Sequence, residues 1–155
     1  MLLKAFCPKN QVLKIKFTIF DLRFTKQRST KSIRIMQEQI KYRTKQIGLS
    51  VIKLIDELPN KPSAWAVAKQ IVRSSTSIGA NYRAACRAKS VPDFLNKLKI
   101  VEEETDETMY WLEILEESEL IRIDRIFDIK KEVNEILSII VASIKTTKNK
   151  INQKS

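Results

Sequence analysis

Eight carboxylates crowd one short reach of the chain: Glu102, Glu103, Glu104, Asp106, Glu107, Glu113, Glu116 and Glu117. On a helix Glu103 and Glu107 share a face, and Glu104 lies three residues from Glu107. Such a cluster could hold Mg²⁺, with waters and phosphate completing the shell, or form an ion-pairing, solvated face. Just upstream, Lys69, Arg73, Arg83 and Arg87 fall in one narrow stripe at about 100° per residue, with Thr76 and Ala80 between them and Lys89 continuing the line. Cations so arranged can contact phosphates, which positions nucleic acid without reading its sequence. They can equally pair with the glutamates of a neighbouring helix or subunit.

Other chemistries are excluded by residue type. The chain has no histidine, which removes His-dependent triads and the Glu-x-x-His ligand pairs of di-iron bundles. Cys7 and Cys86 are the two cysteines, too few for a structural zinc site or a disulfide framework, and they suit a reducing cytoplasm. Gly48 and Gly79 are the two glycines, so no phosphate loop exists. No apolar run approaches the roughly 18 residues of a membrane span. No cofactor and no metal are expected. Two function classes remain. One is a non-enzymatic oligomeric protein that binds RNA, DNA or a nucleic-acid enzyme. The other is a small metal- or ligand-dependent enzyme using the acidic helix.

These residues sit on elements whose periodicity is helical. From Trp65 onward, Ala68, Ile71, Val72, Ser75, Ile78, Gly79, Tyr82, Ala85 and Cys86 share one broad side, rich in small residues that allow close helix contact. Ser74 to Ser77 is weak helix material and Gly79 costs about 1 kcal/mol relative to Ala. The apolar phase nevertheless continues through this run, so one unbroken helix is expected. The acidic helix has a seam of Phe94, Leu98, Val101, Thr105, Thr108, Leu112 and Leu115 with alternating spacings of four and three. Ser90 is its expected cap, and Pro92 suits its first turn. A second apolar group, Ile100, Trp111 and Ile114 with Tyr110 beside it, lies on the far side among Glu103 and Glu107, and marks a candidate subunit interface.

A first helix is expected over Gln37–Leu58, with Ile40, Ile47, Val51, Leu54, Ile55 and Leu58 as its seam, and Pro59 to Pro62 ends it. Ser63 is the expected cap of the next helix, and Trp65 anchors its first turn. Asp124 is the expected cap of the last helix, which runs to about Lys148 on Ile126, Ile129, Val133, Ile136, Leu137, Ile140 and Ile144. Four helices with short connections predict an all-α, antiparallel up-down-up-down four-helix bundle over residues 36–148, followed by a polar tail, 149–155. Residues 1–35 differ. They hold nine Lys/Arg and one Asp, whereas the remainder holds twenty Lys/Arg and seventeen Asp/Glu. The basic character therefore belongs mainly to this leader, expected to be a disordered or non-native upstream extension or else a basic nucleic-acid arm; the alternation of Leu13, Ile15, Phe17 and Ile19 predicts a short strand in it.

The run Gln70 to Ala85, followed by Asp93-Phe94 and by Glu107-Thr108 with Tyr110-Trp111-Leu112, resembles the proteins encoded in intervening sequences of bacterial 23S ribosomal RNA genes. Members commonly carry Glu-Gly shortly after the Asn; here Ala84-Ala85-Cys86 follow Asn81, the mark of a variant subgroup. The resemblance covers about residues 37–145 and implies a four-helix bundle. A related family, the accessory determinant of diversity-generating retroelements, implies a homopentameric ring and a reverse transcriptase or nucleic acid as partner. The leader lies outside the resemblance. A chain beginning at Met36 is therefore expected to keep its helicity and cooperative melting, and loss of cooperative unfolding in that chain would tie the leader to the bundle.

Overall fold

A computed structural model describes residues 30–153. It contains four α-helices and, among the described residues, no strand: α1 (Thr30–Ile55), α2 (Pro62–Ala85), α3 (Val91–Glu117) and α4 (Ile123–Asn152). Helix α1 packs on α2, α2 on α3, α3 on α4, and α4 returns to α1. This cyclic order sets α1 across the core from α3, and α2 across from α4. The expected strand at Leu13 to Ile19 lies outside the described residues.

The helix boundaries follow local chemistry, with some differences from expectation. Helix α1 starts ahead of Met36, which sits inside the helix and packs against the core. Helix α2 is capped by the extended backbone of Lys61, with Pro62 in the first turn and no side-chain cap bond, so Ser63 is not the cap. Proline's fixed φ suits that position and it lacks the N–H a cap would satisfy. The Trp65 ring is largely exposed, and its indole N–H donates to Asn60 Oδ1 at 3.0 Å, which ties the turn to α2. Ser90 caps α3 as expected, accepting from the Asp93 amide at 3.3 Å, and Asp93 in turn accepts from the Lys89 amide at 2.8 Å. Asp124 does not cap α4. That helix begins at Ile123, and Asp124 pairs with Arg122 at 3.0 Å instead. Helix α4 extends past Lys148 because its inward line continues through buried Thr147 to half-buried Ile151.

The core is built from the expected seams. All seven seam residues of α3 are buried, and Leu95 joins them. In α4, Ile139 is buried where Leu137 was expected, and Ile129 and Leu137 are only half-buried. Each buried serine or threonine hydroxyl closes on a carbonyl of its own helix. Thr44 bonds Ile40 O at 2.9 Å, Thr105 bonds Val101 O at 2.6 Å, and Ser143 and Thr147 each make bonds of 2.7 Å. These bonds satisfy the oxygen without a partner across the interface, so helices can close on small residues.

Helix α2 is continuous through Ser74-Ser75-Thr76-Ser77 because tertiary contacts hold that weak stretch on two sides. Toward α3, Thr108 Oγ1 lies 3.0 Å from Ser74 Oγ and 2.7 Å from Glu104 O. Toward α1 the contact is reciprocal: a β-carbon on Gly48 would meet Thr76 Cγ2 at 3.3 Å, and one on Gly79 would meet Thr44 Oγ1 at 3.5 Å. The fourth seam, α1 to α4, carries ion pairs. Arg43 donates to Glu132 at 2.6 Å and to Glu135 at 2.7 Å, and Arg125 pairs with Glu57.

The two glycines should respond differently to alanine. At Gly79 the new methyl meets ordinary van der Waals distances, so Gly79→Ala should raise stability by about 0.5–1 kcal/mol through helix propensity. At Gly48 the methyl presses on Thr76 Cγ2, whose hydroxyl is held on Val72 O at 2.7 Å. Gly48→Ala should therefore gain less, and its gain should grow in a Thr76→Ser background that lacks the methyl. Urea unfolding of the parent, the three single variants and the Gly48→Ala, Thr76→Ser double variant checks this; a larger gain at Gly48 than at Gly79 in the parent background contradicts it.

Candidate nucleic-acid interface

Helix α2 sets Lys69, Arg73, Thr76, Ala80 and Arg83 in one exposed line, which Arg87 continues just past the helix end. Lys69 and Arg83 are fourteen residues apart, about 21 Å along the axis at 1.5 Å per residue. Between Arg73 and Arg83 only the small Thr76 and Ala80 stand on the line. An elongated ligand can thus approach the helix backbone closely there. Lys89 lies in the connector beside the α3 cap, exposed.

The stripe divides into two parts. Arg73 is engaged by α3: its guanidinium bonds Glu107 and lies 3.6 Å from Glu104. Lys69, Arg83, Arg87 and Lys89 form no side-chain ion pair with a described acidic residue. The ion-pairing reading holds within the chain for Arg73. Arg73 cross-links helices within the chain; Lys69, Arg83 and Arg87 stand exposed without a side-chain ion pair to a described acid, and Lys89 lies close enough to Asp93 to help lower its pKa.

The acidic side of this contact is tightly organised. The Arg73 hydrogen bond holds the Glu107 carboxyl below its usual range, and the Trp111 indole N–H also donates to Glu107, at 3.2 Å. Tyr110 meets the Trp111 ring edge-on, with centroids 5.0 Å apart and planes at 69°. Glu104 points the other way energetically. Burial pushes its carboxyl above the usual range, opposed by Arg73 and reinforced by Glu107 and Glu103, and its Oε2 is buried with no hydrogen-bond partner. Among the described residues no group of three or more Asp, Glu or Cys is placed to hold a metal ion. No described helix is long and apolar enough to cross a membrane.

Of the candidate subunit-interface residues on α3, Ile100, Glu103 and Tyr110 are exposed. Glu107, Trp111 and Ile114 are half-buried, and the first two already hold partners within the chain. The reading of α1 identified only its core seam. The structure also exposes Ile35, Tyr42, Leu49 and Ile52 on its outer side, and the seven-residue step between the first three was the signal that could have found them. Ile123 and Phe127 at the start of α4 are likewise exposed, beside Met109 in a shallow groove of about 530 Å³.

Comparison with known proteins gives one consistent result. Residues 36–142 match the 23S rRNA-intervening sequence protein family. A crystal structure of a protein of unknown function from the S23 ribosomal protein family of Bacteroides thetaiotaomicron superposes with a TM-score of 0.64 and is 38% identical, over 68% of this chain and 98% of that one. No curated protein matches the chain.

Glu104 generates a test of the site's electrostatics. Its folded-state pKa is raised, so the ionised form is a penalty that is fully present above that pKa and fades as pH falls toward the ordinary carboxylate range. Glu104→Gln should therefore stabilise the protein at pH 7, because it removes the charge that burial penalises. The gain should shrink as pH is lowered. Glu107 has the opposite sign: its depressed pKa contributes stability that is lost as pH falls through it. Melting curves of both Gln variants from pH 7 to pH 3 check the pair, and a loss of stability in Glu104→Gln at pH 7 contradicts the assignment.

Proposed function

The chain belongs to the 23S rRNA-intervening sequence protein family, and from that premise we propose that it is a non-enzymatic, self-associating protein of the cytoplasm that holds nucleic-acid phosphates on the outer face of α2. In this reading the helices run up-down-up-down and copies assemble into a ring, a homopentamer by the resemblance. The observation that carries the proposal is the line of Lys69, Arg83 and Arg87, exposed and without acidic partners among the described residues, with the small Thr76 and Ala80 on the line between Arg73 and Arg83. Arg73 plays the supporting part by tying α2 to α3.

A single copy of this surface would bind weakly. Symmetric repetition raises avidity without any new contact. Binding through phosphates should fall steeply with salt, because neutralising them releases counterions. It should discriminate little between sequences. The ligand is accordingly RNA or DNA, alone or in the hands of a nucleic-acid enzyme such as a reverse transcriptase. The alternative, a metal- or ligand-dependent enzyme on α3, would be favoured by thermal stabilisation on adding Mg²⁺.

Arg83→Glu combined with Arg87→Glu should lower retention of a short RNA or DNA by at least about tenfold at 50 mM salt while the assembly persists. The basic leader could bind in parallel, so the same pair is compared in the full chain and in a chain starting at Thr30. Unchanged retention in the shorter chain would reject the stripe. Disassembly of the oligomer by the double change would instead make these arginines subunit-contact residues.

A further inference from the structure

Helix α1 carries a second apolar stripe that its own bundle leaves uncovered. Ile35, Tyr42, Leu49 and Ile52 are exposed by 53%, 60%, 40% and 40%. The first three recur every seven residues and so lie on one line, directly opposite the buried Ile40, Ile47, Val51 and Leu54. Outward apolar residues also stand on α3, at Ile100 and Tyr110, and on α4, at Ile123, Phe127 and Val141, and of these two helices α3 is the acidic one. The two helices α1 and α3 carry opposite net charge. Within its bounds α1 has six Lys/Arg and one Glu, and α3 has nine Asp/Glu and two Lys. On α1 the exposed Lys45 and Lys53 flank the stripe, and on α3 the exposed Glu103 and Asp106 stand beside Ile100 and Tyr110. Arg43 is not available to this face, since Glu132 and Glu135 hold it.

These helices lie across the core from each other, so their outer faces point in opposite directions and one chain cannot pair them. We propose that the α1 face of one copy docks on the α3 face of the next. The proposal rests on the self-association stated above and goes beyond it by naming both surfaces and their mode of contact. The contact is heterologous: each copy uses one face as donor and the other as acceptor, which produces a closed ring or an open filament instead of a two-fold dimer. Apolar burial supplies attraction at the centre, and Lys45 and Lys53 against Glu103 and Asp106 set orientation and partner choice. Like faces would juxtapose like charges, α1 on α1 or α3 on α3, and are disfavoured for that reason.

The test is a mixing experiment on full-length chains. One variant carries Leu49→Glu and Ile52→Glu, the other Ile100→Lys and Ile114→Lys, each checked for helicity by circular dichroism. The parent protein should run as an assembly of several copies and each variant as a single chain. An equimolar mixture should yield a two-chain particle and nothing larger, because only one intact α1 face and one intact α3 face remain between them. Should either apolar variant lose helicity, charge reversal decides. Lys45→Glu with Lys53→Glu should weaken self-association at least tenfold at low salt, and adding Glu103→Lys with Asp106→Lys in the same chain should restore it. An α1-face variant that assembles like the parent would overturn the proposal in favour of an α3–α3 contact. A parent protein that is a single chain at tens of micromolar would remove self-association itself. If that single chain assembles only after residues 1–29 are deleted, the leader is what covers the face, and the inter-copy contact is again overturned.

Discussion

The bundle depends on the close approach of α1 to α2, a contact made by small residues on both helices. Gly48 receives Thr76, and Gly79 receives Thr44. The two threonines fit this contact because their hydroxyls bond back to their own helices; the Thr76 methyl faces Gly48, and Thr44 Oγ1 lies nearest Gly79. The same contact braces Ser74 to Ser77, whose intrinsic preference is against helix. With α2 held straight through its weakest stretch, Arg73 and Arg83 come onto one line. The cationic face is thus a consequence of packing on the opposite side of the helix.

The α2–α3 contact then sorts the charges. Arg73 sits where it can reach Glu104 and Glu107, while Lys69 and Arg83 stand clear of α3's carboxylates. Glu107 is the better placed of the two acids, with both the guanidinium and the Trp111 indole as donors. Glu104 is drawn inward far enough to bury one oxygen without a partner. Such an arrangement fastens α2 to α3 at the expense of one strained carboxylate, and it leaves the remaining acidic residues facing outward, where they give α3 its negative exterior.

Much of this was legible in the residues. The seam of α3 could be read in full because its spacing of four and three is uninterrupted and each member is apolar or threonine. Ser90 and Pro92 marked the start of α3 by the pairing of a good cap with a residue suited to the first turn. Helix α4 was read less well: Ile129 and Leu137 are apolar but lie at the edge of the buried arc, and Ile139 lies inside it. Type alone does not distinguish the edge from the centre. Ser63 and Asp124 were attractive caps by type, yet in each case the chain entered the helix two residues earlier, on a backbone conformation that needs no side-chain acceptor. The division of the stripe between Arg73 and its neighbours was beyond the sequence, because it depends on which turn of α3 lies opposite each cation. The outer stripe of α1 was legible and was overshadowed by the stronger inner seam.

Both glycines lie inside helices, so the three connectors, residues 56–61, 86–90 and 118–122, contain none. One residue, Glu119, consequently adopts a left-handed φ of 54° that glycine would accept more readily. The compensation lies in the unfolded chain. Connectors without glycine, with Pro59 inside the first, Pro62 just beyond it and Pro92 just beyond the second, sample fewer backbone states before folding. Less conformational entropy is then lost when the helices are brought together. The turns of this bundle contribute to its stability chiefly through the disorder they never had.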